Sequence, residues 1–405
     1  MHKNNSARTV LLLLLQVASM LSGMSTATAS RELMPHGHPV QAAPANIAGD
    51  TLQMAHDSLS TETTKVKIKR AGNWIKRFVR NFDDYDTNYI APNYYNYTAM
   101  LQNTNFYQLY FLQGTDASGH RQILQISPSP SFKIGPYFGW RWLFLGYTFD
   151  VIHPRAAVKT TEFNLSLYSS MLGFDFVRIS NTGDFTIQRV TGFSDNISEA
   201  VKKKKFSGMD AYTLGANVYY VFNHRHFSYP AAYAQSTVQR KSCGSWMLGL
   251  SYSKQRINFD YTRLPSPLIT PETGEDGTTP LIDELKISQI DYSSFSVSGG
   301  YAYNWVPRHN CLLSISMMPS IGFKRAHGER LSGQSIWLNV RNLNFDFVGR
   351  TGFVWNNTRY FAGISAVTHL YDYQKNSYSI KNLINYINVY AGFTFNKKRQ
   401  YRNRK

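Results

Sequence analysis

From Tyr94 to Phe395 apolar and polar residues alternate with a period of two. Near the end Ile387, Val389, Ala391, Phe393 and Phe395 alternate with Asn388, Tyr390, Gly392, Thr394 and Asn396. Phe295, Val297, Gly299, Tyr301 and Tyr303 alternate with Ser294, Ser296, Ser298, Gly300 and Ala302, and Leu313, Ile315 and Met317 with Ser314, Ser316 and Met318. The segments starting at Tyr212 and Trp246 follow the same rule. Successive side chains of a strand point to opposite faces, so each segment predicts a strand with one apolar, aromatic face and one small, polar face. Soluble strands average five or six residues, whereas several of these reach ten or more. Membrane-barrel strands need about 9–11 residues and carry this dyad with aromatic girdles.

Twelve strands are predicted, near 94–113, 121–134, 142–152, 158–169, 171–179, 209–222, 245–262, 285–304, 311–325, 334–355, 359–372 and 383–395. Short connections at 135–141, Ser169-Ser170, 307–310 and 356–358 alternate with longer ones at 114–120, 153–157, 180–208, 263–284, 326–333 and 373–382. That is the barrel expectation of short periplasmic turns and longer outer loops. An even count places both ends of the chain in the periplasm. The connection 223–241 should be short and is not; an extra hairpin there would raise the count to fourteen. The predicted fold is therefore an all-β, antiparallel transmembrane β-barrel spanning 83–396.

The ends of the chain read differently. Lys3 and Arg8 precede the apolar run Val10 to Leu15, and Ala27-Thr28-Ala29 before Ser30 makes a small-residue cleavage site, so 1–29 predicts a secretory signal peptide. Residues 30–64, rich in Ala, Thr, Ser and Pro, predict a disordered linker. In 65–82 Trp74, Ile75, Phe78, Val79 and Phe82 recur at helical spacing among basic residues, predicting a short N-terminal amphipathic helix. Residues 397–405 form a basic periplasmic tail.

Charge sharpens this picture. The 405 residues carry a formal +18, with 17% charged and 15% aromatic. Lys65 to Arg80, Lys202 to Lys205 and Lys397 to Lys405 hold seven, four and six basic residues without an acid, nearly all of that excess. A nucleic-acid-binding domain carries its basic footprint on the folded face, so no nucleic-acid partner is expected. The predicted partners are outer-membrane lipid and, through the helix and tail, peptidoglycan or anionic phospholipid; oligomeric state stays open. The mean hydropathy of −0.34 suits strands whose other half faces a polar interior. Cys243 and Cys311 fall on non-neighbouring strands with opposite parity, Cys311 toward lipid and Cys243 inward, so no disulfide is expected.

The run from Ser127-Pro128-Ser129-Pro130-Ser131 through Gly139-Trp140-Arg141-Trp142 to Tyr147-Thr148-Phe149-Asp150 is the most distinctive of the chain. With Asn96-Tyr97-Thr98-Ala99-Met100-Leu101-Gln102-Asn103, Phe227-Ser228-Tyr229-Pro230-Ala231-Ala232-Tyr233 and Ser251-Tyr252-Ser253-Lys254, it resembles the Bacteroidetes family of exported, outer-membrane proteins catalogued as domain of unknown function 4421, over roughly Asp83 to Phe395. The resemblance implies a setting in the cell outer membrane and supplies no activity.

Catalytic chemistry is not evident. A barrel enzyme acting on lipid would need a nucleophile and a base within hydrogen-bond reach. Ser365 and His369 share a strand face but lie about 13 Å apart by strand rise. Asp150 and His153 lack a serine; His224-Arg225-His226 could offer two imidazoles to a metal but has no carboxylate beside it; Met34-Pro35-His36-Gly37-His38 is a weak ligand set. No catalytic, cofactor or metal residue is assigned. Inward charges are expected at Lys133, Asp150, Glu162, Asp175, Lys324, Asp346 and Arg350, either pairing across the lumen or lining a path for a polar solute. The expected function is a non-enzymatic outer-membrane barrel, structural or passing or binding a small polar solute. A lipid-acting barrel enzyme and a secreted β-sandwich binding protein are the alternatives.

Overall fold

The computed structural model describes residues 85–140, 143–150, 160–270, 280–326, 343–375 and 378–402. The predicted signal peptide, linker and basic helix, along with His36, His38 and His153, lie outside the described residues.

The strands are β1 (Ile90–Pro92), β2 (Tyr95–Thr115), β3 (Arg121–Pro128), β4 (Ser131–Trp140), β5 (Leu143–Gly146), β6 (Phe149–Asp150), β7 (Thr160–Tyr168), β8 (Leu172–Thr182) and β9 (Phe185–Thr191). They continue as β10 (Lys205–Phe206), β11 (Met209–Val221), β12 (Thr237–Gln239), β13 (Cys243–Phe259), β14 (Gln289–Arg308), β15 (Cys311–Ala326), β16 (Leu343–Asn356), β17 (Tyr360–Gln374) and β18 (Tyr378–Lys397). One antiparallel ladder runs β7-β8-β11-β13-β14-β15-β16-β17-β18-β2. The 21-residue β2 then pairs along its first half with β4 and along its second half with β3. Because β3 and β4 flank Ser129-Pro130, they behave as one long strand broken where proline cannot donate. Counting β3 with β4 and β5 with β6, twelve strands form the wall, the number that the alternation predicts.

The wall reads as a barrel in a membrane. Phe295, Val297, Tyr301, Tyr303 and Trp305 point out of β14 and are 40–62% exposed, while Ser294, Ser296, Ser298, Ala302 and Asn304 point in and are buried. The pattern recurs on β13 (Trp246, Leu248, Leu250) and β15 (Leu313, Ile315, Met317, Ile321, Phe323). So continuous an apolar exterior is foreign to a soluble monomer and fits hydrocarbon. Aromatic rings meet on the outer face, Tyr97 with Phe138 at 5.7 Å and Trp246 with Tyr301 at 5.1 Å. Among the described residues the backbone ladder is open between β7 and the β5–β6 strand that pairs with β4, and a side-chain link reaches from β4 to β7: Lys133 Nζ lies 2.9 Å from Glu162 Oε1.

Several sequence expectations need correction. The connection 180–208 is not simply a loop, for β9 crosses to pair with β3 and β10 pairs with β9. The connection 373–382 is short, because β17 continues to Gln374 and β18 starts at Tyr378. Residues 135–140 belong to β4. The insert 223–241 holds no extra wall hairpin: it contains a short helix, Tyr229–Tyr233, and β12, which pairs with β1. Cys243 and Cys311 are free, on β13 and β15 with β14 between them.

Candidate functional site in the barrel lumen

The end of the wall away from the chain termini is sealed by an apolar cluster. Inward residues Tyr110, Leu112, Leu124, Ile257 and Tyr292 pack against Phe185 and Ile187 of β9, Phe206 of β10, Leu268 of the helix Ser266–Ile269, and Leu285 of the helical turn Asp283–Leu285. All of these are at most 1% exposed. Burying a side chain of this size is worth about 1.5–3 kcal/mol, so this cap is a folded core in its own right.

The opposite end is filled by the 223–241 insert. The Tyr229–Tyr233 helix starts with Ser228, whose Oγ accepts from the Ala231 N–H at 3.2 Å, and with Pro230, which lacks the N–H that a first turn leaves unpaired. This helix turns its side chains into the barrel. Tyr229 Oη and Ser316 Oγ share a hydrogen bond of 2.8 Å, Tyr233 Oη donates to Ser314 Oγ at 3.3 Å, and Gln235 Nε2 donates to Tyr390 Oη at 2.7 Å. Asn304 Nδ2 donates to the Ser228 carbonyl at 2.9 Å. On its far side the insert is strapped by β1 and by the Tyr89 ring, 4.4 Å from that of His226. His224 and His226 do not converge on a metal: His224 Nδ1 faces the Val221 carbonyl at 3.3 Å, whereas His226 Nε2 lies 3.6 Å from Asp86 Oδ2. Asp86 corrects the expectation that no carboxylate neighbours these histidines; it arrives from 140 positions upstream in the chain.

Between the two seals lie charges and amides. Three ion pairs join six of the predicted inward charges. Lys133 meets Glu162; Lys324 Nζ donates to Asp346 Oδ1 at 3.3 Å; and Arg350 Nη2 donates to Asp175 Oδ2. The Arg350 guanidinium also sits over the rings of Tyr219 and Tyr229, at 5.3 and 5.9 Å. Asp150, the seventh, is half-buried and opposite Lys133 in the ladder. A chain of amides joins facing walls: Asn181 Nδ2 donates to Gln108 Oε1, Gln108 Nε2 to Asn382 Oδ1, and Asn382 Nδ2 to Gln255 Oε1, at 2.8, 2.9 and 3.2 Å. Since β18 and β13 are far apart along the ladder, that contact shows how narrow the lumen is. Among the described residues a cavity of about 30 Å³ lies beside Asp175, Ser253, Ser296, Asp346 and His369.

Ser365 and His369 both face inward from β17 and are buried, at 8% and 7% exposure. A lipid acyl chain in the surrounding bilayer does not reach them. Sequence reading missed Tyr229, Tyr233, Gln108, Asn382 and the β1–β12 strap. The one signal for the insert was its length at a position where neighbouring connections are tight turns.

The family model for the domain of unknown function DUF4421 matches residues 84–395, and the chain belongs to that family. No curated protein matches the sequence. Among solved structures, the outer membrane protease OmpT from Escherichia coli aligns at 9% identity over 76% of this chain and 98% of that one, with a TM-score of 0.32. The translocator domain of the autotransporter NalP from Neisseria meningitidis aligns at 10% identity over 82% and 98%, with a TM-score of 0.24. The toluene transporter TodX from P. putida aligns at 8% identity over 74% and 91%, with a TM-score of 0.20.

Proposed function

We propose that this protein is a non-enzymatic, structural β-barrel of the outer membrane in a Bacteroidetes envelope, with a shut lumen and both termini in the periplasm. One observation carries the reading: among the described residues an apolar cap, a hydrogen-bonded insert and three ion pairs fill the interior between them. A solute path would need a continuous polar channel, and opening one here would strip partners from buried charges, which costs several kcal/mol each. The lipid-enzyme reading loses ground because Ser365 and His369 are enclosed within the wall. The sandwich reading loses ground because the alternating faces form one wall with its apolar side outward, not two sheets facing inward. On this orientation the basic segments 65–82 and 397–405 lie in the periplasm, available to peptidoglycan or anionic phospholipid.

The test is ion conductance of the full mature chain in planar bilayers, after a mobility shift on heating in SDS has established a folded barrel. The proposal expects the shift and a silent bilayer. Steady single-channel steps from wild-type protein would overturn the shut lumen and restore solute passage; no shift and a water-soluble protein would overturn the barrel.

A further inference from the structure

We infer that the outer face of the barrel, at the end away from the termini, carries a built site for the phosphate of a membrane lipid headgroup; this rests on the outer-membrane reading above. The observation is a repeated pair of residues. On three strands running toward that end, an outward aromatic is followed two positions later by an outward basic residue: Phe176 then Arg178 on β8, Tyr252 then Lys254 on β13, and Phe323 then Arg325 on β15. The register places the three bases on one hydrogen-bonded row. Arg178 pairs with Leu214, Leu214 with Lys254, Lys254 with Ser293, and Ser293 with Arg325. Adjacent strands lie about 4.8 Å apart, so successive bases are separated by roughly 10 Å along the row. Between them lie the uncharged Leu214 and Ser293.

The rings one step below reinforce this reading. Tyr252 and Phe295 lie 6.1 Å apart, and Phe163 and Phe176 5.9 Å apart, as expected of a girdle at the boundary of hydrocarbon and headgroups. Bases immediately beyond a girdle stand at headgroup depth. Arg178 and Arg325 are exposed and Lys254 is half-buried. None of the three forms an ion pair among the described residues; Arg178 has the Tyr212 ring at 5.7 Å. On the intervening strands, Asp291 of β14, one outward step beyond Ser293, is engaged by Arg256 at 2.8 Å, and Asp210 of β11 stands one step beyond Tyr212. A row of cations at the depth of phosphates, with its neighbouring acid already neutralised, is complementary to a phosphorylated headgroup and to little else in a membrane. Guanidinium groups bind phosphate through paired, charge-assisted hydrogen bonds.

The test uses the folded full chain in detergent. It is titrated with lipid A bearing its phosphates, with the same lipid after phosphatase treatment, and with phosphatidylcholine, and bound lipid is counted by native mass spectrometry. Phosphorylated lipid is expected to bind best. The triple variant Arg178→Gln, Lys254→Gln, Arg325→Gln should bind it about a hundredfold more weakly, at about a factor of five per basic residue. Replacing Lys202 and Lys203 by Gln, on an outer loop, should change nothing. Equal binding of the phosphorylated and dephosphorylated lipid, or a triple variant that binds as wild type, overturns the inference. If the triple variant does not fold, Lys254→Gln alone carries the same comparison at a fivefold effect. The heat-shift assay separates the two levels: wild-type protein without the shift sinks the barrel and this site with it, whereas a normal shift with phosphate-blind binding sinks the site alone.

Discussion

The Arg350–Asp175 pair is the contact on which the shut lumen can be tested most directly. Arg350 is 1% exposed and Asp175 8%, and they join β16 to β8 across the interior. Replacing Asp175 by Asn keeps the shape and removes the countercharge, leaving a guanidinium buried between two tyrosine rings. Breaking a buried pair from one side costs about 3–5 kcal/mol, because the surviving charge stays desolvated without its partner. Arg350→Met should cost a similar amount for the mirror reason. The double variant Asp175→Asn, Arg350→Met removes both charges and is expected within about 1–2 kcal/mol of wild type. The singles and the double should thus differ from additivity by several kcal/mol, far beyond the few tenths found for independent sites. Tyr229→Phe keeps the ring over Arg350 but removes the 2.8 Å bond to Ser316 and the long 3.5 Å bond accepted from Arg350 Nη1, and should cost about 1–2 kcal/mol. The assay is urea unfolding of the folded barrel in detergent, with the folded fraction read from gel mobility and with unchanged steepness as the check on two-state behaviour. Additive singles, or a loss below about 1 kcal/mol for Asp175→Asn, would refute the reasoning: the pair would then be solvated, and the lumen wet.

Two further outcomes follow from local geometry. Gly299 and Gly300 are adjacent on β14 and face opposite ways; a Cβ at Gly299 meets nothing within 4 Å, whereas one at Gly300 would sit 2.0 Å from the Met317 carbonyl oxygen. Gly299→Ala should therefore be neutral or stabilising by up to about 1 kcal/mol in the same urea assay, and Gly300→Ala destabilising by about 1–3 kcal/mol; equal effects would contradict the strand's orientation. In the turn between β2 and β3, the Asp116 carboxylate accepts from the Ser118 hydroxyl and from the Ser118 and His120 N–H groups, at 2.6, 2.9 and 2.9 Å, and these bonds hold its pKa below the ordinary 3.8. A depressed carboxylate pKa stabilises the turn above the unfolded value and loses that support as pH falls through the folded one. The carboxyl carbon of Asp116, followed by NMR, should titrate below 3.8 in wild type and move up in Ser118→Ala; a normal value in both would remove the turn's anchor.

How far the sequence speaks depends on whether a feature is local. Alternation is local: a single residue's slip would turn every side chain to the wrong face, so Ser294 to Ala302 inward and Phe295 to Tyr303 outward could be read directly, and with them the face of Arg350, Asp175, Lys324 and Asp346. Parity says which way a charge points but not at what height, so the partner of Arg350, 175 positions away, was not readable. The same limit hid the Asn382–Gln255 link between facing walls. The β9 crossing was missed because Phe185 to Thr191 is short and lies inside a connection that already looked long enough to be a loop. Asp86 beside His226 shows the converse failure, since a search for carboxylates near in sequence cannot find one brought by the β1–β12 pairing.

The two seals also differ in kind, and the difference bears on how the proposed shut lumen would resist opening. The apolar cap is non-directional: Leu124, Phe185, Phe206, Leu268 and Leu285 gain by exclusion from water, and sliding one past another costs little so long as none is exposed. The polar insert is directional, because Tyr229, Tyr233, Gln235 and Ser228 each meet a named wall partner, and moving the insert strands those groups without water to replace them. A barrel that opens needs one end that can leave at low cost, and here the apolar cap is closed by chain segments continuous with the wall while the polar insert is tied to β1 on its other side. Between them the ion pairs make partial opening worse than either extreme, since a half-displaced insert would take Tyr229 off Arg350 without admitting enough water to solvate the charge. The three layers are therefore coupled, and loosening any one of them is expected to weaken the other two.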